Sequence, residues 1–217
     1  MDDHGREIIG WVAAIISFLA YPPYIVEFIG EPTKKFWATG WMWKCLHLRG
    51  GTAPRQASWL IWSLLQVVIF TSSRQQGISA TTWIALMYMI GSATTAVFTF
   101  KYGESRWKRL DVACGVLGVL SLLLLIVIRA PLWALILAIT ADGIAALPTV
   151  VGVTKDPASE SKLGWTIFLV GAVVNLLAVK AWTFQEAGFT LYLIVVIGYI
   201  CSQVWLRSTY KPRGLEA

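Results

Sequence analysis

"PYIVEFIGEP" (residues 23–32) closes the first apolar run of the chain, and "PTVVGVTKDP" (residues 148–157) closes a later one. In each, nine steps separate two prolines, and an acid, Glu31 or Asp156, directly precedes the second. A polar stretch follows both, Thr33–Lys34 in the first and Ala158–Lys162 in the second. Then come "ASWLIWSLLQVVIF" and "LGWTIFLVGAVVNL", each opening on a small residue followed by Trp59 or Trp165. The two copies differ in length by 19 residues, and removing 35–53 from the first restores the register. The chain reads as a duplicated unit.

The unit is a membrane one. Of 217 residues, 57% are hydrophobic and 14% charged, where an average soluble domain carries about 25% charged residues. The charges cluster between apolar runs at about 8–29, 57–73, 78–100, 110–128, 131–153, 163–182 and 188–206. Each is near the roughly 20 residues that cross a bilayer, which predicts seven transmembrane helices. "RAPL" breaks the run 110–153 as a tight turn, with Pro131 at a first helical position. The start, "MDDHGREIIGW", is acidic and carries no small-residue cleavage site, so no removable signal peptide is expected. Fourteen of the eighteen Lys and Arg residues fall in alternate loops and the C-terminal tail. The positive-inside rule then sets the N-terminus outside and the C-terminus in the cytoplasm. Trp11, Trp37, Trp107 and Trp205 fall near span ends, where amphipathic rings sit at headgroup level. This compactness favours a bacterial inner (plasma) membrane.

Two three-helix units joined directly would be inverted relative to one another; one added crossing makes them parallel. The expected fold is therefore all-α and integral to the membrane, two parallel three-helix bundles joined by a linker helix (3+1+3). The first repeat covers 8–100 with an inserted cytoplasmic segment at 35–53, the linker 110–128, the second repeat 131–206 and a cytoplasmic tail 207–217. The linker, "CGVLGVLSLLLLIVI", has almost nothing polar and suits a lipid-facing position.

On these prolines and their spacing the chain resembles the PQ-loop superfamily, which includes the SWEET and SemiSWEET sugar transporters and lysosomal amino-acid exporters. The resemblance implies parallel repeats about an axis normal to the membrane, and alternating access by rocking of the bundles. The family's Pro-Gln pair would fall at Pro23-Tyr24 and Pro148-Thr149, so proline is kept and glutamine is not. Helices 2 and 6 lack a tryptophan-tyrosine-glycine ending, and helices 3 and 7 lack an asparagine, so sugar specificity does not carry over.

Proline removes a backbone donor and collides with the preceding turn, so Pro22, Pro23 and Pro148 are candidate hinges. Asp142, six residues before Pro148, is an acid inside a span, where insertion costs roughly 2.5–3.5 kcal/mol at the centre. It suits proton coupling, substrate contact or an interhelical hydrogen bond. Its counterpart in the first repeat is Ser17. Asn175, Gln66, Trp62, Tyr88 and Tyr192 complete a candidate pathway for substrate or protons, although amides in membranes often only bond a neighbouring helix. Gly91, Ser92, Thr94, Thr95 and Gly198 suggest close helix approach. Segment 35–53, basic and rich in tryptophan, suits the headgroup layer over anionic lipid.

These features point to a transporter or permease for a small polar solute, with a non-transporting receptor or sorting protein on the same fold as the alternative. No HExxH, GxSxG or clustered acids suggest an enzyme, and no lysine for a Schiff base lies in the last span. Neither catalytic residues nor a metal, cofactor or disulfide is expected, and the charge of +6 is a matter of topology rather than of nucleic acid. The partners are the lipid bilayer and an unidentified solute. A monomer suffices and a homo-oligomer is open.

Overall fold

The computed structural model describes residues 1–29, 56–78, 80–103 and 107–206. Segment 35–53 and the tail 207–217, including the expected headgroup-layer contacts, lie outside the described residues. Every regular element described is helical: α1 (Asp3–Phe18), α2 (Tyr21–Ile29), α3 (Gln56–Gln75), α4 (Trp83–Tyr102), α5 (Arg109–Ile126), α6 (Pro131–Lys155), α7 (Lys162–Leu176) and α8 (Phe184–Leu206). Short 3₁₀ turns at Ala80–Thr82 and Pro157–Ser159 precede α4 and α7. Counting α1 and α2 as one broken helix gives seven. Five are long and apolar enough to cross a membrane: α1–α2, α4 with its preceding turn, α5, α6 and α8. The 20-residue α3 is diluted by Gln56, Ser58, Gln66, Ser72, Ser73 and Arg74, and α7 is apolar but has only 15 residues.

The first break lies at Leu19–Ala20, ahead of the prolines rather than at them. Proline collides with the carbonyl four residues back, so Pro22 and Pro23 act on Phe18 and Leu19. Both then sit in the first turn of α2, where a missing N–H has no partner to lose. The amide of Ala20 instead bonds the Ser17 carbonyl at 3.2 Å, tightening the end of α1. Pro148 lies inside α6, which stays continuous to Lys155. One proline is accommodated; two in succession end the helix.

Pro131 begins α6 as expected, after a turn in which Arg129 takes a left-handed φ of 56°. The sixth run stops at Leu176 instead of 182, and α8 starts at Phe184 instead of 188. Glu186 explains both: its carboxylate accepts from the amides of Lys180 at 2.5 Å and Ala181 at 2.8 Å, holding the connection as a closed loop against the start of α8.

Six helices form a ring: α4 packs between α1 and α3, α8 between α6 and α7, α1 meets α7, and α3 meets α6. The remaining helix, α5, lies outside against α6 and α3. It exposes Val112, Val116, Val119, Leu120, Leu123 and Ile126 while burying Cys114, Gly118, Ser121 and Leu125. Without water to hide from, membrane helices are held by close packing of small residues. The α1–α7 crossing shows this: a β-carbon at Gly171 would stand 2.0 Å from the Ser17 hydroxyl and 3.0 Å from the Ala13 carbonyl oxygen. Of the other small residues expected at contacts, Thr95 is buried, Gly198 has only a loose neighbour in Leu169, and Thr94 is exposed.

At Gly10 a β-carbon would meet the Ala80 carbonyl oxygen at 1.9 Å, a backbone atom that cannot rotate away, while at Gly115 it would meet nothing within 4 Å. Gly10→Ala should therefore cost about 1–3 kcal/mol. Gly115→Ala should raise stability, by up to about 1 kcal/mol through helix propensity. Thermal melts of the two purified variants in detergent check the opposite signs.

Candidate functional site

The break at Leu19–Ala20 turns α2 so that Tyr21 and Tyr24, 2% exposed each, point into the bundle. Tyr21 rests on Gly91 of α4, where a β-carbon would lie 2.0 Å from its ring, and its hydroxyl donates to the Tyr88 carbonyl at 3.2 Å. Around it lies a cavity of about 50 Å³ lined by Tyr21, Trp59, Trp62, Gln66, Tyr88, Ser92, Ala146, Trp165, Phe168, Leu193, Val196 and Ile197. All the helices of the ring except α1 contribute; α2, its continuation, does so in its place. That volume has room for a few waters. The rings pack edge to face within each wall: Trp59 on Trp62 at 5.1 Å, and Trp165 on Phe168 at 5.7 Å.

Three polar atoms of this lining are buried without a partner among the described residues: Trp62 Nε1, Gln66 Oε1 and the Tyr88 hydroxyl. A buried, unsatisfied polar group costs about 1–3 kcal/mol, so this concentration at one cavity calls for something that bonds there.

Directly behind Gln66 is Asp142, 6% exposed. Its carboxylate accepts from Gln66 Nε2 at 3.3 Å and from the Tyr192 hydroxyl at 2.6 Å. The Gln66 bond joins α6 to α3 and the Tyr192 bond joins α6 to α8. Since the amide N–H₂ faces the acid, the amide oxygen is left for the cavity. Three residues singled out separately in the sequence thus form one chain of contacts. Ser17, fully buried, lies beside the Tyr88 hydroxyl where α1 crosses α7, and neither makes a hydrogen bond of normal geometry. Asn175 is not part of this group. Its amide donates to the Thr81 carbonyl at 3.2 Å and to Thr190 at 2.8 Å, tying α7 to the start of α4 and to α8.

Asn175 belongs to the end of the bundle that carries the N-terminus. There Trp11 stacks on Trp83 at 4.1 Å, the Trp83 indole donates to Glu7, and Arg6 donates to the Val179 carbonyl. Lys180 pairs with Asp3 at 2.7 Å, both well exposed, and such surface pairs add little.

The opposite end holds a group that the sequence does not single out. Glu160, in the loop before α7, accepts through one oxygen from the Trp165 indole at 2.8 Å and the Tyr24 hydroxyl at 3.3 Å. Tyr24 packs on Trp59 at 5.1 Å, completing a clasp that joins α2, α3 and α7. The buried Glu27 of α2 adds a second negative charge nearby. Trp59 and Trp165 were legible as markers of the repeat; that an acid five residues before one of them would bind both it and Tyr24 was not.

Nothing among protein-family models, curated proteins or solved structures matches this chain.

Desolvation pushes the Glu160 carboxyl up to about 7, with Glu27 adding to it and the Trp165 and Tyr24 bonds opposing it. An acid raised in the folded state binds more protons folded than unfolded between about 4.5 and 7, so stability falls as pH rises through that window and is flat above it. Glu160→Gln keeps an acceptor and removes the charge. Its melting temperature should match the parent's near pH 5 and exceed it at pH 8. Equal melts at both values would show a fully hydrated carboxylate.

Proposed function

We propose that this protein is a membrane transporter or permease for a small polar solute, working by rocking of two parallel three-helix units, α1–α2/α3/α4 and α6/α7/α8, with α5 as linker. The observation that carries this is the matching of the cavity walls. Tyr21 and Ala146 each precede a matched proline, Pro23 or Pro148, by two residues. Trp59 and Trp165 are equivalent repeat positions, as are Trp62 and Phe168 three residues further on. Tyr88 with Ser92 and Leu193 with Ile197 repeat one four-residue step. Packing supports the same division, with the third helix of each unit lodged between its first two and the first of each unit against the second of the other. The linker gives the cavity nothing. Membership in the PQ-loop superfamily, a bacterial inner membrane and an outside N-terminus belong to this reading.

The Asp142–Gln66 bond crosses from one unit to the other and would break or shift as they rock, which makes Asp142 the natural proton-coupling group. The hinges are unequal: Pro22 and Pro23 end a helix, whereas Pro148 loosens one that stays continuous.

Proteoliposome flux tests the proposal. Pro148→Ala, and the paired Pro22→Ala and Pro23→Ala change, should each slow flux about tenfold, the effect of roughly 1.4 kcal/mol on a barrier. Asp142→Asn should abolish any dependence of uptake on a pH gradient; intact coupling in that variant removes Asp142 from the mechanism. A ligand bound tightly but never passed would move the protein to the receptor or sorting class.

A further inference from the structure

The cavity's chemistry narrows what it takes; this inference rests on the transport reading only in treating the cavity as the solute site. Six of its lining residues are aromatic: Tyr21, Trp59, Trp62, Tyr88, Trp165 and Phe168. They form two walls. Trp59 and Trp62 touch each other, as do Trp165 and Phe168, while no ring of one pair contacts a ring of the other among the described residues. Tyr21 bridges them from the side, 6.1 Å from Trp59 and 4.9 Å from Phe168. The cavity bounded by these two walls, by Tyr21 and by Tyr88, which packs on Phe168 at 5.2 Å, is the slot.

No charged side chain lines the slot among the described residues. An anion or a zwitterion would lose its hydration there with no opposite charge to receive it. The nearest acid, Asp142, already accepts from Gln66 and Tyr192, and Gln66 stands between it and the slot. Polar contacts are few and specific. Trp62 Nε1 is a donor only, Gln66 Oε1 an acceptor only, and the Tyr88 hydroxyl serves as either. Three such atoms, with the Ser92 hydroxyl, which donates to the Met89 carbonyl at 3.2 Å and can still accept, suit a molecule with a few hydrogen-bonding edge groups and bare faces. They are too few for a polyol, whose hydroxyls would be left unbonded around its rim. Aromatic side chains stack on the faces of flat rings with little regard for ring identity.

We infer that the slot receives an uncharged, flat heteroaromatic solute of nucleobase size, stacked between the Trp59–Trp62 and Trp165–Phe168 walls and held at its edge by Trp62 Nε1, Gln66 Oε1 and the Tyr88 hydroxyl. The present 50 Å³ is smaller than such a molecule, so entry parts the two walls.

The test is binding of adenine, thymine, glucose, choline and glutamate to the purified full-length protein at pH 7, read by tryptophan fluorescence and calorimetry. Adenine or thymine should bind saturably and the other three should not. Trp62→Leu should weaken adenine binding about tenfold, the usual effect of losing a stacking partner. Trp62→Phe, which keeps the ring but loses the N–H, should weaken it less, and Tyr88→Phe should cost a few-fold. All three variants must retain the parent's melting profile for the comparison to count, and the two phenylalanine variants change least in volume. Saturable binding of glucose, choline or glutamate without adenine or thymine overturns the inference, as does binding of none of the five by folded protein. Glucose flux in proteoliposomes with no adenine binding would sink this inference and keep the transport reading. Adenine binding with no adenine counterflow would do the reverse.

Discussion

Everything in this molecule depends on how closely the first helix is allowed to approach its neighbours. Gly171 gives α7 no side chain where Ser17 of α1 must pass, and Gly91 gives α4 none where the Tyr21 ring must lie. With these two contacts made, the helix break that follows has only one place to go, inward. At the break Ala20 is fully buried while Leu19 beside it is 55% exposed, so protein covers one side of the irregular backbone. The break therefore serves less to bend a helix than to deliver two tyrosines to the centre of the bundle.

From that delivery follow two sets of contacts at different heights. Tyr21 joins the aromatic walls of the cavity. One turn on, Tyr24 reaches Trp59 and Glu160 and helps seal one end. The other end is fastened by unrelated chemistry, with stacked indoles and the amide of Asn175. Between them, Asp142 is held by Gln66 and Tyr192. A single carboxyl group so placed couples the position of three helices, because displacement of any one of them leaves a buried polar group short of a partner, a costly condition.

Helix number and most boundaries were legible because long apolar runs are set apart by charged and turn-forming residues, and "RAPL" could hardly be anything but a turn. The exceptions have local causes. Proline acts on the turn before it, so the break lies upstream of Pro22, and Glu186 caps a loop that composition alone reads as helix. For the site, sequence singled out Asp142, Gln66 and Tyr192 because polar groups are conspicuous among apolar ones, but not that they touch, since their contact is set by the rotation of three helices. Asn175 was equally conspicuous and bonds elsewhere. Glu160 went unnoticed because an acid in a loop is ordinary; only the arrival of Tyr24 from a helix 136 residues away makes it otherwise.

The shortness of α7 has a consequence for the surrounding lipid. Its 15 residues rise about 22 Å, against a hydrocarbon layer about 30 Å thick. Leu177 and Trp182, just beyond its end, are exposed. Were α7 to cross such a layer, the acyl chains on that flank would be compressed or the headgroups would dip, at a cost of a fraction of a kcal/mol for each ångström of mismatch. Trp165 and Phe168 lie in the first half of α7 and Leu177 and Trp182 beyond its far end, so the missing length falls at the Asn175 end of the helix and not beside that wall of the cavity.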